Sequence, residues 1–397
     1  MRKRAIWLTH IRVRFPGHDK ETTTIAYNQL VMGALRRVRE TMEKGGVAKP
    51  HATRRRSLAT GLSALALSWP ALAQDDGEWG AFRSRFIDGG RLIDTGNQGV
   101  SHSEGQGWGM MLAVANDDRA TFERLFDWTR STLKRPRDNL HSWRYRPNAT
   151  PAVDDPNNAT DGDLYIAWGL LLAAERWRHD PYRAEALVIA RDLMRLTQRT
   201  LHGLSVLLPG VQGFESPAGI VLNPSYIVLP AFAALHRAAP QAGWNRLASD
   251  GLTLLRQARF GAWALSPDWV QQAHRTRADY MLPNRWPPRF SFDAVRVPLL
   301  LAWANQGTHP ALVGAHRFWS DPRWGAPPAW IDLVTGETAE YPISPGVRAI
   351  AAFAAARMAG APGVPALPSV AESPDYYSAT LTLLVHMACD MTGMRVG

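Results

Sequence analysis

Three short runs of this sequence place a carboxylate where a loop feeds an apolar helix. In Ser103-Glu104-Gly105-Gln106-Gly107-Trp108-Gly109-Met110 a single Glu occupies a glycine-rich, aromatic-flanked turn. Burial beside an aromatic raises a carboxyl pKa, which would keep Glu104 protonated near neutral pH and able to donate a proton to a leaving group. A Glu satisfied by backbone amides at a helix start gives the same local pattern. In Phe290-Ser291-Phe292-Asp293-Ala294-Val295-Arg296-Val297-Pro298, Arg296 follows Asp293 by one helical turn. Such a cation lowers the pKa of its neighbour, so Asp293 is expected to stay ionised and to suit the activation of water, although a purely structural ion pair has the same spacing. In Ala159-Thr160-Asp161-Gly162-Asp163-Leu164, helix capping accounts for one Asp and leaves the other free to face a pocket. A neutral Glu104 opposite a charged Asp293 is the combination that hydrolyses glycosidic bonds, one group protonating the leaving oxygen and the other activating water or attacking.

Other chemistries find less support. The chain has no His-Glu-x-x-His, no phosphate loop ending in Gly-Lys-Ser or Gly-Lys-Thr, and no Gly-x-Ser-x-Gly elbow. Gly105, Gly107 and Gly109 imitate part of a dinucleotide fingerprint but follow no convincing strand. A calcium loop around Asp161 fails on spacing, with Trp168 where the closing Glu belongs. No metal site and no cofactor are expected. Trp108, Trp143, Tyr226, Trp263, Trp286, Tyr376 and Tyr377 fall in or beside the loops that flank these carboxylates. Sugar rings stack on aromatic faces, and it is the grouping of these residues, each of which could equally be core, that favours a cleft.

The net charge of +10 is a property of the chain's beginning. Residues 1–73 hold 14 Lys and Arg against 4 Asp and Glu, and the remainder balances at 31 against 31. Nucleic acid is therefore not an expected partner. Arg54, Arg55 and Arg56 precede a short apolar run, Leu58 to Leu67, and then Ala71-Leu72-Ala73, the basic, apolar and small-residue order of an export signal. The run is too short for a stable membrane span. Met42 is the expected start, with cleavage after Ala73, by either the twin-arginine or the ordinary secretory route, and a periplasmic or secreted product. One catalytic domain is expected over residues 74–397. The single cysteine, Cys389, forbids an intrachain disulfide and sits among apolar neighbours as a small buried hydrophobe.

The elements that must position these residues read as helical. Apolar spacing of three and four predicts twelve helices, at 76–87, 103–116, 118–133, 160–178, 181–199, 223–238, 241–258, 292–306, 308–321, 344–359, 366–373 and 375–391. Six consecutive helical hairpins can close into a double ring, with Leu164 to Ala174 and Val295 to Trp303 as inner candidates. Residues 134–159, 202–222 and 259–291 resist the helical pattern, and loops of that length in a compact domain are usually functional.

The runs at 103–110, 159–164, 223–226 (Asn-Pro-Ser-Tyr) and 292–298 together resemble glycoside hydrolase family 8 over most of residues 76–391. The resemblance implies an all-α (α/α)6 barrel and metal-free hydrolysis with inversion, for which the two carboxyls stand about 6.5–9.5 Å apart. It implies Glu104 as general acid, Asp293 as general base and Asp161 as a sugar-contacting residue at the cleavage subsite. Arg296, Trp143, Tyr226 and one of Tyr376 and Tyr377 fall near positions that line the cleft. Trp108 stands where tyrosine is expected, exchanging a hydroxyl for an indole N–H. The implied substrate is a β-1,4-glucan, with the bacterial cellulose synthase complex as partner. Xylan, chitosan and mixed-linkage glucan remain alternative substrates on the same fold, and a non-catalytic glucan-binding assembly factor is the alternative of another class.

Overall fold

The computed structural model describes residues 77–274 and 280–397. The expected leader, the Met42 start and the cleavage point after Ala73 lie outside the described residues. Among the described residues there are eleven α-helices: α1 (Glu78–Phe86), α2 (Ser103–Ala115), α3 (Arg119–Thr132), α4 (Thr160–Trp177), α5 (Asp180–Thr197), α6 (Leu229–Ala238), α7 (Trp244–Gln257), α8 (Arg296–Trp303), α9 (Pro310–Trp319), α10 (Pro345–Ala359) and α11 (Tyr376–Thr392). None of them is long and apolar enough to cross a membrane.

Burial sorts these helices into two shells. α2, α4, α6, α8, α10 and α11 touch in that cyclic order, α11 returning to α2, and form an inner ring, while α1, α3, α5, α7 and α9 pack outside it. Position in the ring explains the residue patterns. α4 is buried at every position from Thr160 to Ala173 and α8 along its whole length, so neither has a polar face. α3 buries Thr121, Phe122, Leu125, Phe126 and Thr129, the one-sided stripe of a helix that covers a core. This is the (α/α)6 arrangement with one outer position filled differently.

The twelfth helix expected at 366–373 does not form. Pro368 lacks an N–H, and the carbonyls of Val370 and Ser373 accept from the Arg85 guanidinium at 2.7 and 3.0 Å. The Glu78 carboxylate accepts the N–H of Val370. Irregular chain, tied to both ends of α1, thus occupies the sixth outer position. The helix expected at 223–238 is also interrupted. Asn223 caps a 3-10 turn, Pro224–Tyr226, and α6 starts afresh at Leu229, with a proline in its first turn.

The segments that resisted helical periodicity contain most of the longer strands, and Gln198–Leu201 overlaps the end of the helix expected at 181–199. Gln198–Leu201 pairs with Leu204–Leu207, and Glu215–Ser216, Gly219–Leu222 and Val270–Ala273 form a three-stranded antiparallel sheet. The 134–159 segment is pinned at Arg144–Tyr145, which pairs with Ser101–His102 at the foot of α2.

The glycine-rich run at 103–110 begins α2, as the helix expected at 103–116 implies, so Glu104 lies within the first turn of the helix and not in a turn before it. Two close approaches explain the small residues. A Cβ on Gly107 would lie 2.6 Å from the Cβ of Tyr165 and 2.8 Å from the backbone N of Ile166, and one on Gly162 would strike Ser103 Oγ and the N of Glu104 at 2.8 Å. α2 and α4 therefore meet backbone to backbone beside the two carboxylates that they carry. Gly107→Ala should lower the unfolding free energy by about 1–3 kcal/mol through overpacking, measured by urea denaturation, and an unchanged midpoint would show that the helices can separate freely.

Candidate active site

One buried guanidinium gathers the carboxylates that the sequence singled out. Arg296, 3% exposed at the start of α8, has Nη1 in contact with Glu104 Oε1 and 3.7 Å from Asp161 Oδ2, while Nη2 is 2.6 Å from Asp293 Oδ1. Nη2 also donates to Ser225 Oγ at 2.8 Å. Glu104 is the second residue of α2, Asp161 the second of α4, and Asp293 lies in the turn before α8. Arg296 spans the space between Glu104 and Asp293, one nitrogen to each.

The surroundings of Glu104 differ from the apolar pocket expected. Its side chain is 19% exposed and paired with Arg296. Gln106, two residues on, faces away from the site and locks α2 in place: its carbonyl accepts the Leu92 N–H at 2.6 Å and its amide donates to Gly90 O at 3.0 Å and Thr129 Oγ1 at 2.8 Å.

Asp293 departs from expectation in charge. Burial raises its carboxyl well above the ordinary carboxylate value, the charges of Asp268 and Asp161 push the same way, and the Asn223 amide opposes them. The expected lowering by Arg296 is thus overturned in direction, because like charges and lost hydration act on the same group as the single cation. Asp161, 2% exposed, is raised to about 7, chiefly by burial and also by the charge of Asp163, while the Gly162 N–H and the Tyr226 hydroxyl stabilise its ionised form.

The two Asp residues of the 159–164 run divide their work. Asp161 faces the site. Asp163 points away and organises the long loop before α4, accepting from the His141 N–H at 2.9 Å, the His141 ring at 2.9 Å and Asn158 Nδ2 at 3.0 Å. Neither Asp occupies the cap position of α4, which is Ala159, and Gly162 N donates to Asp161 at 2.8 Å.

Of the expected aromatic wall, part is assembled at the site. Trp143 is half-buried beside α2, stacked on His102 with ring centres 5.9 Å apart, and its indole N–H donates to Asp155 at 3.0 Å. Tyr226 is half-buried and packs edge-on against Trp269 at 6.2 Å, which in turn meets Trp286 at 5.8 Å. Tyr377 is half-buried, donates its hydroxyl to Phe292 O and packs against the Phe292 ring at 6.5 Å. Two expectations, for Trp108 and Trp263, are corrected, and the choice between Tyr376 and Tyr377 is decided. Trp108 is fully buried and lies under the Arg296 guanidinium at 5.5 Å, so it supports the cation and offers no face to a sugar. Tyr376, 3% exposed, belongs to the core, which leaves Tyr377 as the member of the pair at the site. Trp263 packs against Phe318 and Trp324 and donates to Asp321, within the outer shell.

Sequence reasoning missed three residues. Phe292 is 54% exposed beside Asp293, and an aromatic next to that carboxylate was visible in the 292–298 run. Asn223 opens the Asn-Pro-Ser-Tyr run and was readable only as a cap. Asp268 lies in a long irregular segment with no motif around it. Cys389 is buried as expected, and burial pushes its thiol up to about 12.

Comparison with known proteins identifies the family. The profile of Glycosyl hydrolases family 8 matches residues 53–390. A probable endoglucanase of Novacetimonas hansenii is 39% identical over 312 residues, covering 78% of this chain and 90% of the relative. An endoglucanase of Cellulomonas uda is 43% identical over 277 residues, covering 68% of this chain and 75% of the relative. The solved structure of an endo-β-1,4-glucanase from Acetobacter xylinum superimposes with a TM-score of 0.73 at 39% identity, covering 79% of this chain and 98% of that one.

The raised Asp161 carboxyl has a measurable cost. A folded pKa of about 7 against an ordinary 3.8 means that ionising Asp161 destabilises the fold progressively as pH rises between those values. Asp161→Asn should therefore raise Tm by about 2 °C or more at pH 8 and change it little at pH 4, and a lower Tm than wild type at pH 8 would refute the assignment. The inner ring, the carboxylates gathered on Arg296 and the family match agree: this chain is a glycoside hydrolase of family 8.

Proposed function

We propose that this enzyme cuts β-1,4-glucan internally with inversion, Glu104 acting as general acid and Asp293 as general base. The observation that carries the reading is the convergence of Glu104, Asp161 and Asp293 on Arg296 at a site flanked by Trp143, Tyr226, Phe292 and Tyr377. The glucanase relatives support the choice of substrate. Glycosidic bond hydrolysis needs one proton delivered to the leaving oxygen and one taken from water. In this reading a bound glucan displaces Glu104 from Arg296, the carboxylate takes up a proton from solvent as it loses its cation, and the protonated carboxyl gives that proton to the glycosidic oxygen as the bond breaks. Asp293, whose raised carboxyl makes it a stronger proton acceptor once it has ionised, takes a proton from the water that attacks the anomeric carbon from the opposite face. Asp161, with Tyr226, hydrogen-bonds the sugar hydroxyls at the cleavage point. Trp143 and Phe292 supply apolar faces to neighbouring rings, a stacking role that tolerates a repeating polymer.

We further propose that the enzyme is exported and acts on nascent cellulose beside the synthase complex. The support is the order of the leader, with its arginine run, apolar stretch and Ala71-Leu72-Ala73.

Glu104→Gln and Asp293→Asn should each lower kcat on soluble carboxymethylcellulose by about 10² or more, and proton NMR of the wild-type reaction should show the α-anomer first. A first-formed β-anomer would overturn inversion. Faster release of reducing ends from xylan, chitosan or mixed-linkage glucan would reassign the substrate, and release from none would favour the non-catalytic assembly role. For export, a reporter fused after residues 42–76 should reach the periplasm, and Arg54→Lys with Arg55→Lys should retain it in the cytoplasm if the twin-arginine route is used. Retention of the unsubstituted fusion would refute export.

A further inference from the structure

The turn that presents Asp293 is held by a residue from elsewhere in the chain. α8 has no side-chain cap of its own. In the turn before it, the N–H groups of Ser291 and Ala294 donate to Asp268 Oδ1 at 3.0 and 2.8 Å, and the Ser291 hydroxyl donates to Asp268 Oδ2. The Asp293 N–H also stabilises this carboxylate. Asp268 is itself fixed, because its own N–H donates to the carbonyl of Arg289 at 2.7 Å and its side chain is 7% exposed. A helix normally receives such a cap from the residue just before it. Here the cap comes from the segment leading into the strand Val270–Ala273, so the direction of the Asp293 side chain depends on a second piece of chain.

We propose that Asp268 is the positioning residue for Asp293, holding the Ser291–Ala294 turn so that the Asp293 carboxylate faces Arg296 and the attacking water. The proposal rests on the reading of Asp293 as general base. Burial raises the Asp268 carboxyl to about 6 while the hydrogen bonds that both its oxygens accept favour the ionised form, and its charge when ionised is one cause of the raised Asp293 carboxyl. Arg296 from α8, Glu104 from α2, Asp161 from α4, Tyr226 from the 3-10 turn and Tyr377 from α11 are the other charged or titratable groups around this pair. A capping residue of stability alone would leave the ionisation of Asp293 and the chemical step untouched.

The full chain carrying Asp268→Asn, Asp268→Ala, Ser291→Ala or Asp293→Asn separates these possibilities on carboxymethylcellulose between about pH 4 and pH 9. Asparagine keeps an acceptor oxygen but removes the charge, so the acid limb of kcat should move down by about half a pH unit or more, with the optimum rate kept within about fivefold. Alanine removes the acceptors, and kcat should fall about tenfold or more while KM changes less than about threefold. Ser291→Ala should show a smaller fall in the same direction. A folded Asp268→Ala with wild-type kcat, or an Asp268→Asn profile superimposable on wild type, overturns the proposal. If Asp268→Ala fails to fold, the Asp268→Asn profile decides alone. An inactive Asp293→Asn beside wild-type Asp268 variants refutes positioning only, whereas an active Asp293→Asn refutes the base assignment and the positioning with it.

Discussion

A guanidinium almost without solvent has to be neutralised where it stands, and that requirement organises the centre of this barrel. Removing a charge from water costs several kcal/mol or about that order unless partners replace the hydration, and Arg296 obtains them from Glu104, Asp161, Asp293 and Ser225. Trp108 lies beneath as an apolar and weakly attractive floor. Three carboxyls around one cation cannot all ionise without mutual repulsion. The cluster that solves the burial of Arg296 therefore also keeps a proton near its carboxyls, and a retained proton is what acid and base catalysis require.

The ring supplies the cluster through the direction of its helices. Glu104, Asp161, Asp293 and Tyr377 all lie at or just before the N-terminal ends of α2, α4, α8 and α11, so one rim of the inner ring carries the candidate site. N-terminal helix ends bear partial positive charge and unpaired N–H groups, which favour anions nearby. The backbone-to-backbone approach of α2 and α4 at Gly107 and Gly162 brings two of these ends together more closely than side chains would permit. The outer helices and the Gln106 network then hold α2 against movement along its axis.

What could be read from the sequence was what local spacing determines. The helical period located ten inner and outer helices to within a few residues, and the contact of Asp293 with Arg296 follows from their separation by one turn. Interactions between distant segments were not legible. Trp108 looked like a sugar platform because it falls beside Glu104 among the aromatics that flank the carboxylates, but its place in α2 buries it beneath the arginine. The charge state of Asp293 depends on Asp161 and Asp268, which belong to other elements, so its single local cation predicted the wrong direction. The segment at 366–373 has helical composition, yet Pro368 and the hydrogen bonds from Arg85 and to Glu78 give its backbone better partners than its own.

That same segment determines when the barrel can be completed. Glu78 and Arg85 find their partners at Val370 and Ser373, nearly the whole described chain away, and α11 packs on both α1 and α2. The seam of the ring thus joins the beginning of the folded region to its end. Contacts of such long separation are slow to form because loop closure precedes any gain from them. On a ribosome the first five inner helices can pair with their neighbours in order of synthesis, but α2 keeps one flank uncovered until α11 emerges. The rim that carries Glu104 is therefore completed last, and a chain truncated before α11 would expose apolar surface beside the carboxylates that Arg296 gathers.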